Sequence, residues 1–262
     1  MYNIRPLKQA EIDAPIGVAI MMGDMRTLVT GTIYIWVIEG EGERIVVDAG
    51  VEEPRGGFVH GFPVRGGGEK RLREALEGAS IRPEDVDKLI LTHLHYDHVA
   101  YATLFHNARI YVQKREWQSA LNPPPHYRQI YDEKLILPLE DMDLCLLDHD
   151  EEIADGIRVV LLPGHTKGLQ GVLVKTRKGN YLIAGDHFYS YINISPPKEP
   201  IELIDATGNK IKIPAINLPF APPGLHIDLT EWYESCFKAL NLTRRQNIIP
   251  SHDPLIEGRV FP

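Results

Sequence analysis

The sequence predicts an α/β protein in which β-sheets stack as a sandwich and helices cover the outside. Three observations indicate this fold class. Short apolar strands come first as a hairpin, later strands alternate with helices, and neither a repeat nor a clear linker divides the 262 residues. A chain of this length can bury the core of one large domain. We therefore expect a single domain over residues 1–262.

The first predicted elements are two strands joined by a tight turn. Residues 32–40 (TIYIWVIEG) and 43–50 (ERIVVDAG) are rich in β-branched and aromatic side chains. The connecting EGEGE supplies the glycines that a tight hairpin turn favours. Together they predict a hairpin that opens the fold.

The following elements alternate between strand and helix. Leu72, Ala75 and Leu76 recur at helical spacing, so residues 69–79 predict a helix. ARIYVQKREWQSAL predicts a strand that runs into a helix, and residues 228–242 predict a last helix capped by Asp228 or Thr230. Further strands are predicted at KLIL (88–91), IRVVLLP (157–163), GVLVKT (171–176), NYLIAGD (180–186) and QNIIPSHDP (246–254).

Residues 190–227 differ from the rest of the chain in composition. They are rich in proline and isoleucine and carry few helix signals. We expect an extended insertion there, placed as a lid over a cleft.

Charge and cysteine content exclude several classes of function. The net charge is −8 and no basic cluster is longer than a pair such as Arg244-Arg245, so we expect neither nucleic acid nor an anionic membrane as a partner. The apolar piece 16–22 is too short to span a bilayer. No secretory signal is visible, and Cys145 and Cys236 match neither zinc spacing nor a disulfide framework, so we expect a cytoplasmic location.

Histidine and aspartate side chains follow four of the predicted strands. Strand ends are rigid, and metal ligands must be held to within a fraction of an ångström. The candidates are His93, His95, Asp97 and His98 in THLHYDH, His165 in PGHTKG, Asp186 in GDHFY and His252 in SHDP.

These side chains suit metal ions better than nucleophilic catalysis. His93 and His95 alternate on extended chain and point the same way. Five histidines and two aspartates exceed the needs of one tetrahedral ion, and suit two ions about 3.5–4 Å apart that share a water. Zinc is the first candidate, and iron, cobalt or manganese also fit such ligands. No G-x-S-x-G motif is present, and neither cysteine has a histidine nearby in sequence.

HLHYDH, PGHT, GD and SHD together resemble the metallo-β-lactamase superfamily, over nearly the whole chain. The resemblance implies an αββα four-layer sandwich with a dimetal site in a cleft at the sheet edges. It implies one ion held by His93, His95 and His165, a second held by Asp97, His98 and His252, and Asp186 between them. Asp48 in IVVDAG matches an early aspartate of the family that supports ligands.

Finer features are similar to the N-acyl-homoserine lactone lactonases, the quorum-quenching lactonases. Tyr189 follows Asp186 by three residues, as in that group. The resemblance implies that a hydroxide between two metals opens the lactone ring, while Tyr189 contacts the substrate carbonyl. Asp97 or Asp186 would carry the proton to the leaving oxygen, so Asp97, Asp186 and Tyr189 are the catalytic candidates.

An acyl chain would need an apolar trough. The candidates for substrate binding are Met21, Met22, Phe58, Phe62 and Phe188, beside Tyr189. The early MMGDM segment is placed like an N-terminal arm that the lactonases use in dimer contact, so the resemblance implies a homodimer.

Other functions of the same scaffold stay open at this point. They are a glyoxalase-II-like thioesterase, a β-lactam hydrolase and a phosphodiesterase. Leu169 stands where many relatives such as glyoxalase II carry a second histidine. A flavo-diiron reductase would need a carboxylate at the position where this chain has His95. A scaffold that binds no metal would not need seven intact ligands.

Overall fold

The structure is a computed structural model that describes residues 1–40 and 42–262. In chain order, its strands are β1 (Asn3–Pro15), β2 (Leu28–Glu39), β3 (Ile45–Val47), β4 (Phe58–Val59), β5 (Phe62–Gly66), β6 (Lys88–Ile90), β7 (Arg109–Gln113), β8 (Leu144–Leu147), β9 (Glu151–Ala154), β10 (Ile157–Leu161), β11 (Gln170–Thr176), β12 (Gly179–Ile183), β13 (Ile201–Ile204), β14 (Lys210–Ile213) and β15 (Ile248–Ile249). Its α-helices are α1 (Ile16–Ala19), α2 (Gly68–Glu77), α3 (Tyr96–Val99), α4 (Lys114–Leu121), α5 (Glu133–Ile136), α6 (Tyr191–Ile194) and α7 (Leu229–Leu242).

Two large sheets form the centre of the fold. One has eight strands in the order β4-β5-β1-β2-β3-β6-β7-β8, and the other has five in the order β15-β12-β11-β10-β9. The strands β3, β6, β7 and β8 run parallel, whereas β1, β2 and β3 pair antiparallel. A separate two-stranded sheet contains β13 and β14.

Alternation along single strands divides the interior into layers. On β2, Ile35 packs with α2 and α4 in one core, while the next residue, Trp36, packs in the core between the two sheets. On β10, Val159 faces the core between the sheets and Val160 faces α7. Successive side chains of a strand point to opposite faces, so each sheet separates two cores. The predicted αββα sandwich is thereby confirmed.

The predicted opening hairpin is confirmed, but it is not where the fold begins. β2 and β3 pair antiparallel, with Trp36 opposite Val47. The predicted turn includes Glu41, which lies outside the described residues. The strand β1 was not predicted, although it pairs with β2 along its whole length. β1 has a register shift between Lys8 and Ala10, and the consecutive residues Gln9 and Ala10 are both buried. The alternation of inward and outward side chains is therefore broken at this point.

The two predicted amphipathic helices form as α2 and α7. The Asp228 side chain caps α7 by accepting hydrogen bonds from the backbone N–H groups of Thr230 and Glu231, at 2.8 and 3.0 Å. At 14 residues, α7 is the longest helix in the described part of the chain. No helix in residues 1–40 and 42–262 is long and apolar enough to cross a membrane.

Residues 190–227 contain more regular structure than the expected extended insertion. They include the helix α6 and the hairpin of β13 and β14. Ile201, Leu203, Ile211 and Ile213 lie on one face, and the other face carries Glu202, Lys210 and Lys212 with the exposed Ile204, so much of the isoleucine content reflects an amphipathic sheet.

Candidate metal centre

Four strand ends carry the predicted ligands to one edge of the sandwich. β12 and β15 pair in parallel, with Ile183 opposite Ile249, so Asp186 and His252 leave the sheet on the same side. The segments after β6 and β10 bring the remaining histidines to the same place. The seven predicted ligands form two groups that share Asp186.

The first group contains three histidines and one oxygen of Asp186. Nδ1 of His95 lies 2.9 Å from Nε2 of His93 and 3.1 Å from Nε2 of His165. Oδ2 of Asp186 lies 3.8 Å from Nε2 of His93 and 3.6 Å from Nε2 of His165. Three imidazole nitrogens and a carboxylate oxygen therefore converge on one point.

The second group uses the other oxygen of Asp186. Oδ1 lies 3.1 Å from Nε2 of His98 and 3.0 Å from Nε2 of His252. Oδ2 of Asp97 lies 3.7 Å and 3.8 Å from the same two nitrogens. Asp186 thus offers one oxygen to each group.

The donor atoms fit a pair of divalent ions. Burial lowers the pKa of His93 and His95 well below the usual value, so these rings are neutral and offer lone pairs. Nε2 of His98 and Oδ1 of Asp186 are buried and have no hydrogen-bond partner among the described residues, although they lie only 3.1 Å apart. Buried polar atoms without partners are costly, and coordination to an ion would satisfy them.

Hydrogen bonds behind three of the rings fix which nitrogen faces the centre. An acceptor close to Nδ1 holds the proton there and leaves the Nε2 lone pair free. Nδ1 of His98 lies 2.8 Å from Oδ2 of Asp48, Nδ1 of His165 lies 2.9 Å from the Leu225 carbonyl, and Nδ1 of His252 lies 3.0 Å from the Thr32 carbonyl.

Asp48 contacts the candidate ligand His98, which is the supporting position that the family resemblance implies for it. Besides His98, it accepts hydrogen bonds from the backbone N–H and the hydroxyl of Thr92, at 2.8 and 2.9 Å. Its backbone is left-handed, with φ of 62°. A non-glycine residue in this region is uncommon and aspartate is among those that tolerate it, so the surrounding contacts hold Asp48 in place.

Glu116 is a contributor to the centre that the sequence analysis did not identify. Its carboxyl group is fully buried in α4, and burial raises its pKa. It accepts hydrogen bonds from four donors, which are the N–H of Leu94 at 3.1 Å, the N–H of Gly168 at 3.1 Å, the Thr166 hydroxyl at 2.6 Å and the Tyr131 hydroxyl at 2.9 Å. Glu116 therefore ties the His93–His95 segment to the loop that carries His165.

The same packing explains a glycine in the PGHTKG segment. A Cβ at Gly168 would lie 2.1 Å from the backbone nitrogen of Glu116. No side chain fits there, so this loop can approach α4 only at a glycine. In sequence, the signal for Glu116 was an acidic residue beside Trp117 on the buried face of α4.

A cysteine–histidine pair forms away from the centre. Nε2 of His187 lies 3.3 Å from Sγ of Cys236, although the two are far apart in sequence. Burial lowers the pKa of His187 to about 3 and raises the pKa of Cys236 well above its usual range. Both groups are neutral and have no solvent exposure, so the pair is packing and not a nucleophile.

A cavity of about 620 Å³ opens beside the two groups. Its polar lining includes His95, Asp97, Asp186, Tyr189 and His252, and most of the remainder is aliphatic. Most of the aliphatic lining comes from β1, α1 and the residue after it, β2 and the β13–β14 hairpin: Ile12, Ala14, Ile16, Val18, Ala19, Ile20, Val29, Ile201, Leu203, Ile204 and Ile213. A cavity of this size can enclose a small molecule.

Tyr189 lies between the centre and the cavity. Its ring centroid is 5.6 Å from that of His165 and 5.5 Å from that of His252. Its hydroxyl makes no hydrogen bond to a described residue, and burial raises its pKa well above the usual value. The hydroxyl therefore remains protonated and free to donate into the cavity.

The predicted trough residues are mostly elsewhere. Phe62 lines the cavity, but Phe188 is fully buried behind it, with its ring 5.7 Å from Phe220 and 5.8 Å from Trp232. The backbone is extended at Phe188, so Phe188 and the next residue, Tyr189, point to opposite sides.

Met21, Met22 and Phe58 were also predicted to line the trough, but they lie outside the cavity. Met22 is 94% exposed, Phe58 is 53% exposed, and Met21 is half-buried on the loop outside the cavity lining. Much of the aliphatic cavity wall comes from β1, α1 and the β13–β14 hairpin, which the sequence patterns did not predict.

Comparison with known proteins identifies related sequences. A family model described as "Metallo-beta-lactamase superfamily" matches residues 28–252. An N-acyl homoserine lactonase of Bacillus cereus is 29% identical over 171 residues, which cover 62% of this chain and 66% of that relative. The chain thus spans just under two thirds of the length of the curated relatives that it matches at this level.

Solved structures share the fold. An N-acyl homoserine lactone hydrolase with the product N-hexanoyl-L-homoserine bound at its catalytic metal centre superposes with a TM-score of 0.74 at 21% identity, covering 98% of this chain and 94% of that one. AidC, described as a dizinc quorum-quenching lactonase, gives 0.65 at 18% identity, covering 97% and 88%. At these identities the likeness establishes the fold.

Proposed function

This chain belongs to the metallo-β-lactamase superfamily, and on that basis we propose that it is a dimetal hydrolase that opens the ring of N-acyl-homoserine lactones or related lactones. The observation that carries the proposal is the position of Asp186, which offers one oxygen to each of two ligand groups at the wall of a mainly aliphatic cavity. The names of the relatives, N-acyl homoserine lactonases, support the choice of substrate.

The proposed ligand sets follow the two groups. His93, His95 and His165 would hold one ion, Asp97, His98 and His252 would hold the other, and Asp186 would contact both. When bound, two such ions lower the pKa of a shared water toward about 7 and polarise a carbonyl group.

Tyr189 would act on the carbonyl oxygen of the lactone. As water adds to the carbonyl carbon, negative charge develops on that oxygen and strengthens any hydrogen bond that it accepts. The Tyr189 hydroxyl is protonated and free to donate, which supports this role.

Asp97 is the better candidate to carry the proton. Ring opening breaks the bond between the carbonyl carbon and the ring oxygen, and the leaving oxygen must gain the proton that water gives up. Both oxygens of Asp186 already face ligand groups, whereas Asp97 has only Oδ2 near His98 and His252. A carboxylate in this position can take the proton from water and deliver it to the ring oxygen.

Several finer features remain proposals from the sequence. They are zinc as the native metal, with iron, cobalt or manganese as alternatives, a homodimer, a cytoplasmic location and a single domain over residues 1–262. The dizinc description of AidC supports zinc. Elemental analysis of the purified protein tests the metal, and light scattering after size-exclusion chromatography tests the dimer.

A substrate panel tests the proposed reaction. It contains acyl-homoserine lactones, simple γ- and δ-lactones, a thioester and a β-lactam, with metal content measured on the same sample. We expect lactones to be preferred, and Tyr189→Phe to lower kcat by about 10²-fold, the effect of removing one oxyanion donor. Tyr181→Phe is the control, because Tyr181 packs on Phe261 outside the cavity. Preference for the thioester or the β-lactam would refute the proposed function.

A further inference from the structure

The hairpin of β13 and β14 has one apolar face and one charged face. Ile201 pairs with Ile213, and Leu203 pairs with Ile211, so these four side chains share a face. Ile201, Leu203 and Ile213 line the cavity beside the metal centre. We name these three side chains the inner face of the hairpin.

The outer face of the hairpin carries the charged side chains of Glu202, Lys210 and Lys212, together with Ile204, which is 59% exposed and also reaches the cavity. Glu202 pairs with Lys212 across the two strands, and Nζ of Lys210 lies 3.0 Å from Oε2 of Glu202. Within residues 1–40 and 42–262, neither strand of the hairpin pairs with a strand of the two large sheets. Both edges of the hairpin are therefore unpaired among the described strands, and its inner face lies against the cavity.

A backbone hydrogen bond joins the hairpin to the opposite side of the cavity. At its tip, the N–H of Ala206 donates to the Leu28 carbonyl at the start of β2, at 2.8 Å. The tip is an ordered turn, because Oδ1 of Asp205 accepts hydrogen bonds from the N–H groups of Thr207 and Asn209, at 2.9 and 2.8 Å.

At the base of the insertion, a buried amide joins it to the opposite wall. Nδ2 of Asn193 donates to the carbonyls of Ala19 and Ala221, at 2.9 Å each. Ala19 belongs to α1, which supplies part of the facing aliphatic lining. The hairpin and α1 thus form two walls of one compartment, with the metal ligands at its polar end.

We propose that the inner face of the β13–β14 hairpin determines substrate specificity, by selecting lactones that carry a long saturated alkyl chain. This inference rests on the proposed function, because it assigns the tail of the substrate to this wall. Branched aliphatic side chains offer no hydrogen bond to a substituted tail, but remove methylenes from water. Each additional buried methylene corresponds to about fourfold in kcat/KM.

A chain-length series tests the inference. We measure kcat/KM for N-acyl-L-homoserine lactones with acyl chains from butanoyl to dodecanoyl, and compare Leu203→Asn and Ile213→Ala with the outer-face control Lys212→Ala. We expect the decanoyl-to-butanoyl ratio of kcat/KM to fall at least tenfold in both inner-face variants and to keep its native value in Lys212→Ala. Leu203→Asn preserves side-chain size, so it covers the case in which Ile213→Ala folds poorly.

A binding measurement separates this inference from the proposed reaction. Calorimetry with the ring-opened compounds N-decanoyl- and N-butanoyl-L-homoserine reports on tail binding without turnover. Tighter binding of the decanoyl compound that is lost in Leu203→Asn supports the hairpin as the tail wall, even where native protein hydrolyses no lactone and the proposed function fails. Equal chain-length ratios in inner-face and outer-face variants would overturn the inference, even with full lactonase activity.

Discussion

Removal of the Glu116 carboxyl group is expected to loosen both loops that carry the first ligand group. In Glu116→Ala, four donors lose their acceptor at once. The hydroxyls of Thr166 and Tyr131 can rotate toward other acceptors, but the N–H groups of Leu94 and Gly168 are fixed by the backbone. The substitution therefore acts mainly through these two amides.

The magnitude follows from those two groups. A buried N–H without a partner costs about 1–3 kcal/mol, so two cost about 2–6 kcal/mol. Relief of the buried carboxylate and entry of water offset part of this cost. We expect a loss of about 3 kcal/mol in the free energy of unfolding, which lowers Tm by about 6–12 °C in a protein of this size.

A measurement of metal affinity distinguishes a role of Glu116 in orienting the ligands from a role in stabilising the fold. The two loops hold His93, His95 and His165, and loss of a group that orients ligands weakens metal binding by about 10–100-fold. Competition with a chromophoric chelator measures this for zinc. Gln118→Ala, at an exposed position on the same helix, is the control, and Glu116→Gln should lose less than Glu116→Ala because it keeps one acceptor oxygen and the side-chain size.

Two results would contradict this reasoning. A Tm for Glu116→Ala equal to that of Gln118→Ala would mean that the four hydrogen bonds contribute no net stability. A lower Tm with native zinc affinity would mean that Glu116 stabilises the fold without orienting the ligands.

Three further predictions concern the same centre. Chelation of bound metal should lower Tm, because a ligand at 100 times its Kd stabilises the folded state by about 2.7 kcal/mol; scanning calorimetry before and after zinc is restored measures this, and an unchanged Tm would argue against metal binding. Gly168→Ala should destabilise by about 1–3 kcal/mol, since its Cβ would meet the backbone of Glu116; denaturant unfolding compares it with Gly78→Ala, at a right-handed position, and equal midpoints would contradict the packing. Asp48→Asn should fold, because asparagine tolerates the left-handed backbone, but should bind the second zinc about tenfold more weakly, as His98 loses its charged partner; native stoichiometry and affinity in calorimetry would refute this.

The convergence of the candidate ligands could be predicted from the sequence because their signal is local. Each candidate lies a few residues after the end of a strand, and the parallel strands β12 and β15 bring distant segments to one edge. The pattern of histidine and aspartate therefore indicated the site without knowledge of the packing. The same locality made α7 and its Asp228 cap predictable.

The cavity wall and Glu116 could not be predicted in this way. β1 was missed because its bulge at Gln9 interrupts the alternation by which strands are detected. The hairpin residues meet β1 and α1 only in three dimensions, and the partners of Glu116 lie 15 to 52 residues away along the chain. Phe188 was predicted to line the trough because a flat aromatic face suits an alkyl tail, but the sequence does not say whether Phe188 or Tyr189 faces inward.

The contrast between β10 and the β13–β14 hairpin bears on how such a protein could diversify. Val159 and Val160 serve two different cores, so a one-residue slip in β10 would disrupt two layers together. The hairpin faces a core-like wall on one side only and pairs with neither large sheet. Insertions, deletions and exchanges in the hairpin would change the cavity wall while the sandwich keeps the histidines in place. Under the proposed function, natural variation could then alter the preferred substrate without altering the metal centre.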